Sequence, residues 1–232
     1  MSKFHYLFIS LILTISSMSY AEIVEVYTWK SFPGKGQQML NNMEEAAEIQ
    51  SSLGASVSIN VLNVGSANEV DYVIRVDDMQ SWGAIKDKLT TSPEWLRFWT
   101  KISRTPTGEL QSSLTGINLD ASKKAADFNG NYVYGVWIWD PATGRDAEVA
   151  QNLVRGRQID ESLGARVEVY SEGVGGTGNY YYVMLFDSWS AMANAFTNMG
   201  TSTERAEFVS GIDPASMTLV RSFTGATVPN AN

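Results

Sequence analysis

The chain has 232 residues and a formal net charge of −8, with no cysteine and a single histidine, His5. An acidic chain without a basic cluster is a poor candidate for a nucleic-acid partner. Beyond His5 it cannot supply Ser-His-Asp or Cys-His catalysis, zinc sites with nitrogen or sulfur ligands, or haem held by histidine or cysteine. Because no calcium-loop motif occurs either, we predict no metal site and no cofactor.

The first 21 residues have the pattern of a secretory signal peptide. Lys3 and His5 precede an apolar run, 6–15, that is too short to span a bilayer as a helix. Ser19-Tyr20-Ala21 then fits the small-x-small cleavage pattern. An uncleaved membrane anchor is the alternative, but no second apolar segment supports it. We therefore predict cleavage after Ala21, a periplasmic or secreted protein, and no membrane attachment after cleavage.

The next hundred or so residues predict alternating strands and helices. A β-branched and aromatic segment, 24–29, predicts a strand, and Pro33-Gly34 predicts a turn. Apolar residues at helical spacing over 37–53 predict a helix that Gly54 ends. The same kind of reasoning gives two strands, two helices and a last strand at 57–61, 70–76, 81–89, 94–102 and 109–115.

The second part of the chain repeats this order. When Val26 is set against Val136, the segment 52–55 meets 162–165 as Ser-Leu-Gly-Ala in both, without a gap. We predict one α/β unit of roughly 80 residues that is present twice. The corresponding elements are 132–139, 146–163, 166–171, 180–186, 188–199, 204–212 and 217–223.

The order β-α-β-β-α-β is that of the ferredoxin-like unit, whose sheet carries helices on one face only. The other face needs a cover, since an exposed apolar sheet would aggregate. We therefore predict an α+β fold in which two tandem repeats pack sheet to sheet as a pseudo-dimeric α/β barrel. The predicted division is a first repeat at 22–116, a linker at 117–131, a second repeat at 132–225 and a flexible tail at 226–232. Such a chain supplies its own pseudo-dimer, which is compatible with a monomer.

Two short segments carry a resemblance to a known family. Residues 26–29, Val-Tyr-Thr-Trp, are followed by Phe-Pro-Gly-Lys at 32–35 and a helix. This opening resembles that of NIPSNAP-like members of the dimeric α/β-barrel superfamily. The second half keeps Val-Trp-Ile-Trp at 136–139 but has Pro-Ala-Thr-Gly-Arg at 141–145. Because the superfamily includes cofactor-free monooxygenases, haem enzymes and lyases, the resemblance implies the fold more than an activity. Its haem branch typically uses a histidine, which this chain lacks beyond His5.

Two local motifs have structural interpretations. Residues 173–178 match the dinucleotide-binding pattern G-x-G-x-x-G, but a strand follows the glycines where that pattern requires a helix. We therefore predict a hairpin loop there. Asp77 and Asp187 end the third strand of each half just before a helix, and we predict that they are helix N-caps.

The barrel interior is the predicted binding site, since ligands commonly occupy such interiors. Taking Val24, Val26 and Thr28 as the helix-covered face assigns the alternate residues of the first strand to the interior. The predicted ligand-binding residues are Glu25, Tyr27, Trp29, Asn60, Arg75, Trp137, Trp139 and Tyr170. Glu25 and Arg75 are predicted to pair, whereas the second half has Gly135 and Leu185 there. A structural ion pair and the opposite face assignment remain open.

The functional prediction has three alternatives. The first is an exported protein that binds a small apolar or aromatic molecule inside the barrel. The second is a cofactor-free monooxygenase or isomerase acting on an aromatic or polyketide-like substrate, with Arg75 stabilising an oxyanion and Tyr27 or Glu25 moving a proton. The third is a structural or interaction protein whose barrel is filled by its own side chains. The sequence identifies no catalytic residue.

Overall fold

Eight antiparallel strands close into a barrel in the computed structural model, which describes residues 21–66 and 68–229. The first 20 residues of the predicted signal peptide, and residues 230–232 of the predicted tail, lie outside the described residues. Within the described residues, no helix is both long and apolar enough to cross a membrane. Since the described residues form both strands and helices, the chain is a mixed α+β protein, as the sequence predicted.

Each half contains four strands and three helices in the same order. The strands are β1 (Ile23–Ser31), β2 (Ser56–Leu62), β3 (Glu69–Val76), β4 (Gly108–Asn118), β5 (Val133–Pro141), β6 (Arg166–Glu172), β7 (Tyr180–Phe186) and β8 (Met217–Thr227). The helices are α1 (Gly36–Ser52), α2 (Met79–Thr91), α3 (Pro93–Ser103), α4 (Asp146–Ser162), α5 (Trp189–Thr201) and α6 (Thr203–Ser210). A 3-10 turn, Ala125–Phe128, lies between the halves. Every predicted strand and helix is confirmed; the ends of β7 are as predicted, and those of the other elements differ by a few residues.

The barrel closes at two seams between the halves. The strand order around it is β1-β3-β2-β8-β5-β7-β6-β4. At one seam β2 pairs with β8, from Asn60 opposite Thr227 to Leu62 opposite Gly225. At the other, β4 pairs with β6, from Gly116 opposite Glu172 to Asn118 opposite Tyr170. The two halves therefore form one continuous sheet rather than two sheets stacked face to face.

The seams also explain where the predicted boundaries differ from the structure. Strand β4 continues through Ile117 and Asn118, which the sequence assigned to the linker. Strand β8 continues through Ala226 and Thr227, which the sequence assigned to the tail. Both extensions pair with a strand of the other half. Because those partners are distant in sequence, no local pattern signals the extra residues.

Helices cover the outer face of the barrel with two separate cores. Met39 and Met43 of α1 and Phe98 of α3 pack with Val57 and Ile59 of β2 in the first half. In the second half, helices α4 and α5 pack on β6 and β7 in the same way, and the fully buried residues include Val149, Val167 and Val169. The intervening residues of β2, Ser58 and Asn60, point to the other side, as the two-residue period of a strand requires. That side is the barrel interior.

Candidate functional site in the barrel interior

All eight strands contribute side chains to a cavity of ≈ 110 Å³ inside the barrel. Both charged lining residues, Asp71 and Arg75, come from the first half, as do Ser58 and Asn60, while Thr227 is the polar aliphatic residue that the second half adds. The aromatic lining residues on the strands come from the second half and are Tyr134, Tyr170, Tyr181 and Phe223. Phe128, Gly130 and Tyr132 of the connecting segment also line it. The interior is therefore lopsided in its chemistry although the two halves share one topology.

A smaller cavity of ≈ 60 Å³ is lined by strand residues as well and shares several of them with the larger cavity. Thr28, Ile138 and Arg221 line it, and Asp71 lines both cavities. Asp71 therefore stands between the two spaces, where a bound molecule in either one could reach its carboxylate.

The structure divides the predicted site residues into two groups. Asn60, Arg75 and Tyr170 line the interior cavity, which confirms the prediction of their face. The prediction was wrong for five aromatic or acidic residues, which lie on the helix-covered side: Glu25, Tyr27, Trp29, Trp137 and Trp139. What role the three interior residues play towards a ligand stays a prediction.

Strand register is the physical reason for this error. Residues directly opposite each other on antiparallel strands share a face. Val24 lies opposite Arg75 and Val26 opposite Val73, so both valines face the interior with Arg75. Glu25 lies opposite Ile74 on the outer face. The interior is thus more apolar than expected, and large aromatic rings cover the sheet beneath the helices.

The predicted pairing of Glu25 with Arg75 is therefore absent. Instead Lys86 Nζ donates to Glu25 Oε2 at 2.6 Å and to the Tyr27 hydroxyl at 3.3 Å. Burial alone would lower the pKa of Lys86, but its hydrogen bond to Glu25 and the charge of that residue raise it. This outer cluster is a partly buried ion pair between α2 and β1.

Gly135 does not leave open space in the interior either. A Cβ atom at this position would lie 2.8 Å from the Trp137 ring, on the outer side of β5. Trp137 in turn packs edge-on against Phe196 of α5, with ring centroids 6.0 Å apart. The glycine accommodates the tryptophan beneath a helix and does not enlarge the cavity.

Arg75 is held by three groups at one end of the cavity. Its Nη1 donates to Glu22 Oε1 at 2.5 Å and to the Tyr170 hydroxyl at 2.9 Å. Its guanidinium lies 4.2 Å from the centroid of the Phe128 ring. A buried charge of this kind is tolerated because it is paired and hydrogen-bonded. Arg75 is thus in a structural ion pair, as one of the open alternatives stated, although its partner is Glu22.

The same polar network continues across a seam. Asn118 Nδ2 donates to Glu22 Oε2 and to Glu168 Oε2, each at 3.2 Å. Arg166 Nε donates to Glu168 Oε1 at 3.1 Å. Glu22 and Glu168 are both 0% exposed. Sequence reasoning missed this role of Glu22, which it treated only as the residue after the predicted cleavage point.

Asp71 has the opposite situation at the other side of the cavity. It is 6% exposed, and Thr28 Oγ1 donates to its Oδ1 at 2.6 Å. Burial raises the pKa of Asp71 to about 6, against smaller opposing effects of the Thr28 hydrogen bond and of Arg221. Asp71 was not among the predicted site residues, although alternation along β3 places it on the same face as Val73 and Arg75.

Tyr134 contributes an unpaired hydroxyl to the interior. Within the part of the chain that the structure describes, the buried side-chain polar atoms without a hydrogen-bond partner are this hydroxyl and Trp82 Nε1. Burial raises the pKa of Tyr134 well above its ordinary value, so the hydroxyl is a donor at neutral pH. Gly225 makes room for the ring, because a Cβ there would lie 2.4 Å from the hydroxyl oxygen.

The two local motifs have structural roles. The segment 173–178 lies in the loop between β6 and β7, as predicted. Two of its backbone N–H groups donate hydrogen bonds to the side chain of Glu172. Glu172 Oε2 accepts from Thr177, Gly178 and Asn179 at 2.6, 3.0 and 2.9 Å. The predicted N-caps are wrong by one residue. Asp78 and Ser188 cap α2 and α5, while Asp77 accepts from the backbone N–H of Ala125.

A haem does not fit this interior. A porphyrin is far larger than a ≈ 110 Å³ cavity, and the only histidine of the chain is His5. Among residues 21–66 and 68–229, no group of three or more histidine, cysteine, aspartate and glutamate side chains is arranged to hold a metal ion. Apart from the paired Arg75, the polar groups that line the cavity are the Asp71 carboxylate, the Asn60 amide and the hydroxyls of Ser58, Thr227 and the tyrosines.

Comparison with known proteins places the fold. No protein-family model matches the chain, and no curated protein matches it. Among solved structures it is similar to a provisionally named monooxygenase from Fusobacterium nucleatum subsp. nucleatum, with a TM-score of 0.60 and 10% identity over 90% of this chain and 93% of that chain. It is similar to an anthrone oxidase-like protein, with a TM-score of 0.54 and 12% identity over 91% of this chain and 92% of that chain. It is also similar to a mutant chlorite dismutase from Candidatus Nitrospira defluvii, with a TM-score of 0.54 and 10% identity over 90% and 92%. At such low identity these similarities concern the fold alone: the chain has the dimeric α/β-barrel fold of these proteins.

Proposed function

We propose that the barrel interior binds a small molecule, in contact with Asn60, Asp71 and the tyrosine hydroxyls. The observation that carries this proposal is the unpaired Tyr134 hydroxyl, which is buried at the wall of a ≈ 110 Å³ cavity. Buried polar groups in folded proteins nearly always have a hydrogen-bond partner, and one without a partner beside a cavity marks where a bound molecule supplies it.

The size of the cavity limits the molecule. Sites for drug-sized ligands are usually about 300–1,000 Å³, whereas a cavity of about 150 Å³ is enough for benzene. A cavity of ≈ 110 Å³ therefore admits a ligand no larger than a single small ring. Polycyclic substrates of the polyketide type are too large for the interior in this conformation.

Native mass spectrometry of the protein from its own compartment tests this proposal. We expect a retained molecule of low mass, released on denaturation. A Val183→Phe variant, which fills the cavity from β7, should retain none while keeping a cooperative unfolding transition. If the parent protein carries nothing, and no small molecule binds to it in titrations, the proposal is overturned.

A cofactor-free oxygenase is the second candidate. Asp71 favours it, because a buried carboxylate with a pKa of about 6 that faces a cavity suits a general base. The similarity to structures named as a monooxygenase and as anthrone oxidase-like supports the same candidate. Asp71 replaces Glu25 and Tyr27 as the proton-accepting group, since those two lie outside the barrel.

Oxygen uptake with single-ring quinols tests the oxygenase candidate. We expect uptake by the parent protein that falls about 100-fold or more in Asp71→Asn, as for loss of a general base. Asp87→Asn, on the exposed face of α2, is the control with the same loss of charge. Zero uptake by the parent, or equal uptake by the parent and Asp71→Asn, would rule this candidate out.

We also propose that the two halves arose by duplication, that the chain is NIPSNAP-like and that it is exported. The shared order of elements in both halves supports duplication, and the opening motif supports the family. N-terminal sequencing of the extracytoplasmic protein tests the export step, with Glu22 expected as the first residue. An intact N-terminus in the cytoplasmic fraction would contradict it.

A further inference from the structure

The cavity has two charged lining residues, and only one of them is neutralised. Arg75 is paired with Glu22 at 2.5 Å. Within the described part of the chain, Asp71 takes part in no ion pair within 4.0 Å. The nearby Arg221 is bound to Glu69 instead, with Nη2 at 3.0 Å from Oε2. The interior therefore has an excess of negative charge localised at Asp71.

The walls near Asp71 are aromatic. Tyr181 and Phe223 line both cavities with Asp71, and Tyr134 lines the larger one. The face of an aromatic ring attracts a cation within about 6 Å of its centroid, and the attraction increases when both partners are removed from water. A carboxylate surrounded by aromatic rings has the composition that recognises alkylated ammonium groups. Neither arginine of the lining is a free partner for an anion, since Arg75 is paired with Glu22 and Arg221, which lines the smaller cavity, is paired with Glu69.

We propose that the molecule bound in the barrel is a small organic cation, an alkylated ammonium with a few carbon atoms. Asp71 is its counter-ion, and the rings of Tyr134 and Tyr181 lie against its alkyl groups, whereas the Phe223 ring already carries the guanidinium of Arg221 at 5.1 Å. This inference rests on the proposed function, because it requires that the cavity binds a molecule at all. It names the class of ligand, which the fold does not determine.

The charge state of Asp71 supports this assignment. With a pKa of about 6, its carboxylate is ionised at pH 7.5 and protonated at pH 5. The titratable or charged groups that act on it are Glu69, Arg221, Tyr134 and Tyr181. Because a cation binds to the ionised form, its affinity should rise with pH through about 6 and then level off.

Three probes of similar size and different charge test the inference: tetramethylammonium, tert-butanol and pivalate. Each probe is titrated into the protein at pH 7.5, and binding is measured by calorimetry or by NMR of the interior tyrosines. Tetramethylammonium should bind at least about tenfold more tightly than tert-butanol. Pivalate should not bind. In Asp71→Asn, the affinity for tetramethylammonium should fall to that for tert-butanol. In Asp87→Asn, the preference for tetramethylammonium over tert-butanol should equal that of the parent protein.

The outcomes separate this inference from the proposed function. Equal affinity for tetramethylammonium and tert-butanol overturns the cation assignment and leaves small-molecule binding in place. No binding of any probe, together with no retained molecule in native mass spectrometry, overturns the proposed function itself. If Asp71→Asn does not fold, the parent protein decides the question. Its affinity for tetramethylammonium must rise between pH 5 and pH 7.5 while that for tert-butanol stays constant, and a flat profile for both overturns the inference.

Discussion

Asp71 and Arg75 lie on the same face of β3, and their surroundings give them opposite roles. Arg75 has a carboxylate, a hydroxyl and an aromatic ring around it, so its charge is already compensated. Asp71 has one hydroxyl donor and sits between two cavities. A residue with unsatisfied electrostatics beside open space is the stronger candidate for function. Asp71 therefore takes the place at the centre of the site that the sequence assigned to Arg75.

The raised pKa of Asp71 predicts a pH-dependent stability. Its folded-state pKa of about 6 lies above the ordinary 3.8, so the folded protein holds this proton more tightly than the unfolded chain. The free energy of unfolding should therefore lose about 2 kcal/mol from this group between pH 4 and about 7, out of about 3 kcal/mol for the whole pKa shift at about 1.4 kcal/mol per pKa unit.

Urea denaturation of ligand-free Asp71→Asn and parent protein from pH 4 to 8 measures this effect. Asparagine keeps an oxygen that can accept the Thr28 hydrogen bond but carries no charge. The difference in the free energy of unfolding, variant minus parent, should rise by about 2 kcal/mol between pH 4 and about 7 and stay constant above that. A difference independent of pH would show that Asp71 has an ordinary pKa.

Gly225 predicts a second effect at the scale of one residue. In Gly225→Ala the new Cβ would lie 2.5 Å from Tyr134 Cζ, so the buried ring must move, at a cost of about 1–3 kcal/mol in the free energy of unfolding. Gly200→Ala is the control, because its Cβ meets nothing within 4 Å in α5 and should stabilise by up to about 1 kcal/mol. Equal effects of the two substitutions in thermal or urea denaturation would contradict the close contact.

At the scale of elements, the first strand of each half shows what apolarity alone cannot decide. Both faces of β1 are covered, one by helices and the other by the opposite side of the barrel. Val24 and Val26 are therefore as acceptable inside the barrel as beneath a helix. On the opposite face of β1, the larger rings of Tyr27 and Trp29 pack into the core beneath the helices. Alternation correctly separated the two sets of residues, but only the pairing with β3 shows which set faces inward.

The β6–β7 hairpin loop depends on one carboxylate. Because three backbone N–H groups donate to Glu172 Oε2, Glu172→Gln weakens charge-assisted hydrogen bonds and should cost about 1–2 kcal/mol in the free energy of unfolding. Amide hydrogen exchange should accelerate at Thr177, Gly178 and Asn179. Glu109→Gln, exposed on β4, should change neither quantity. Unchanged exchange at the three amides would show that the loop holds its shape without the carboxylate.

At the scale of the whole molecule, two short seams convert two four-stranded halves into one barrel. The β2–β8 seam includes Ala226 and Thr227. The backbone N–H of Val228 donates across the seam to the carbonyl oxygen of Ile59 at 2.8 Å, and that of Thr227 donates to the carbonyl oxygen of Tyr132, next to β5, at 2.9 Å. Residues near the C-terminus therefore contribute to closure and, through Thr227, to the cavity wall.

Truncation tests this closure. A chain that ends at Gly225 keeps the Leu62–Gly225 pair but loses the pairs of Asn60 with Thr227 and of Val61 with Ala226. It should lose at least about 2 kcal/mol in the free energy of unfolding, so that fluorescence and circular dichroism change at a lower denaturant concentration. A chain that ends at Pro229 keeps the seam and should match the parent. Equal stability of the two truncated chains would show that residues 226 and 227 do not contribute to closing the barrel.

The sequence by itself determined the local elements, their order in both halves, the hairpin nature of the 173–178 loop and the interior position of Asn60, Arg75 and Tyr170. These depend on short-range patterns, namely periodicity and turn residues. The inward face of β1 and β5, the partner of Arg75, the seam residues and the importance of Asp71 and Tyr134 were decided only by the tertiary structure. Each depends on which strands pair across the barrel and in which register, and residues far apart in the chain set that register through packing that no local pattern records.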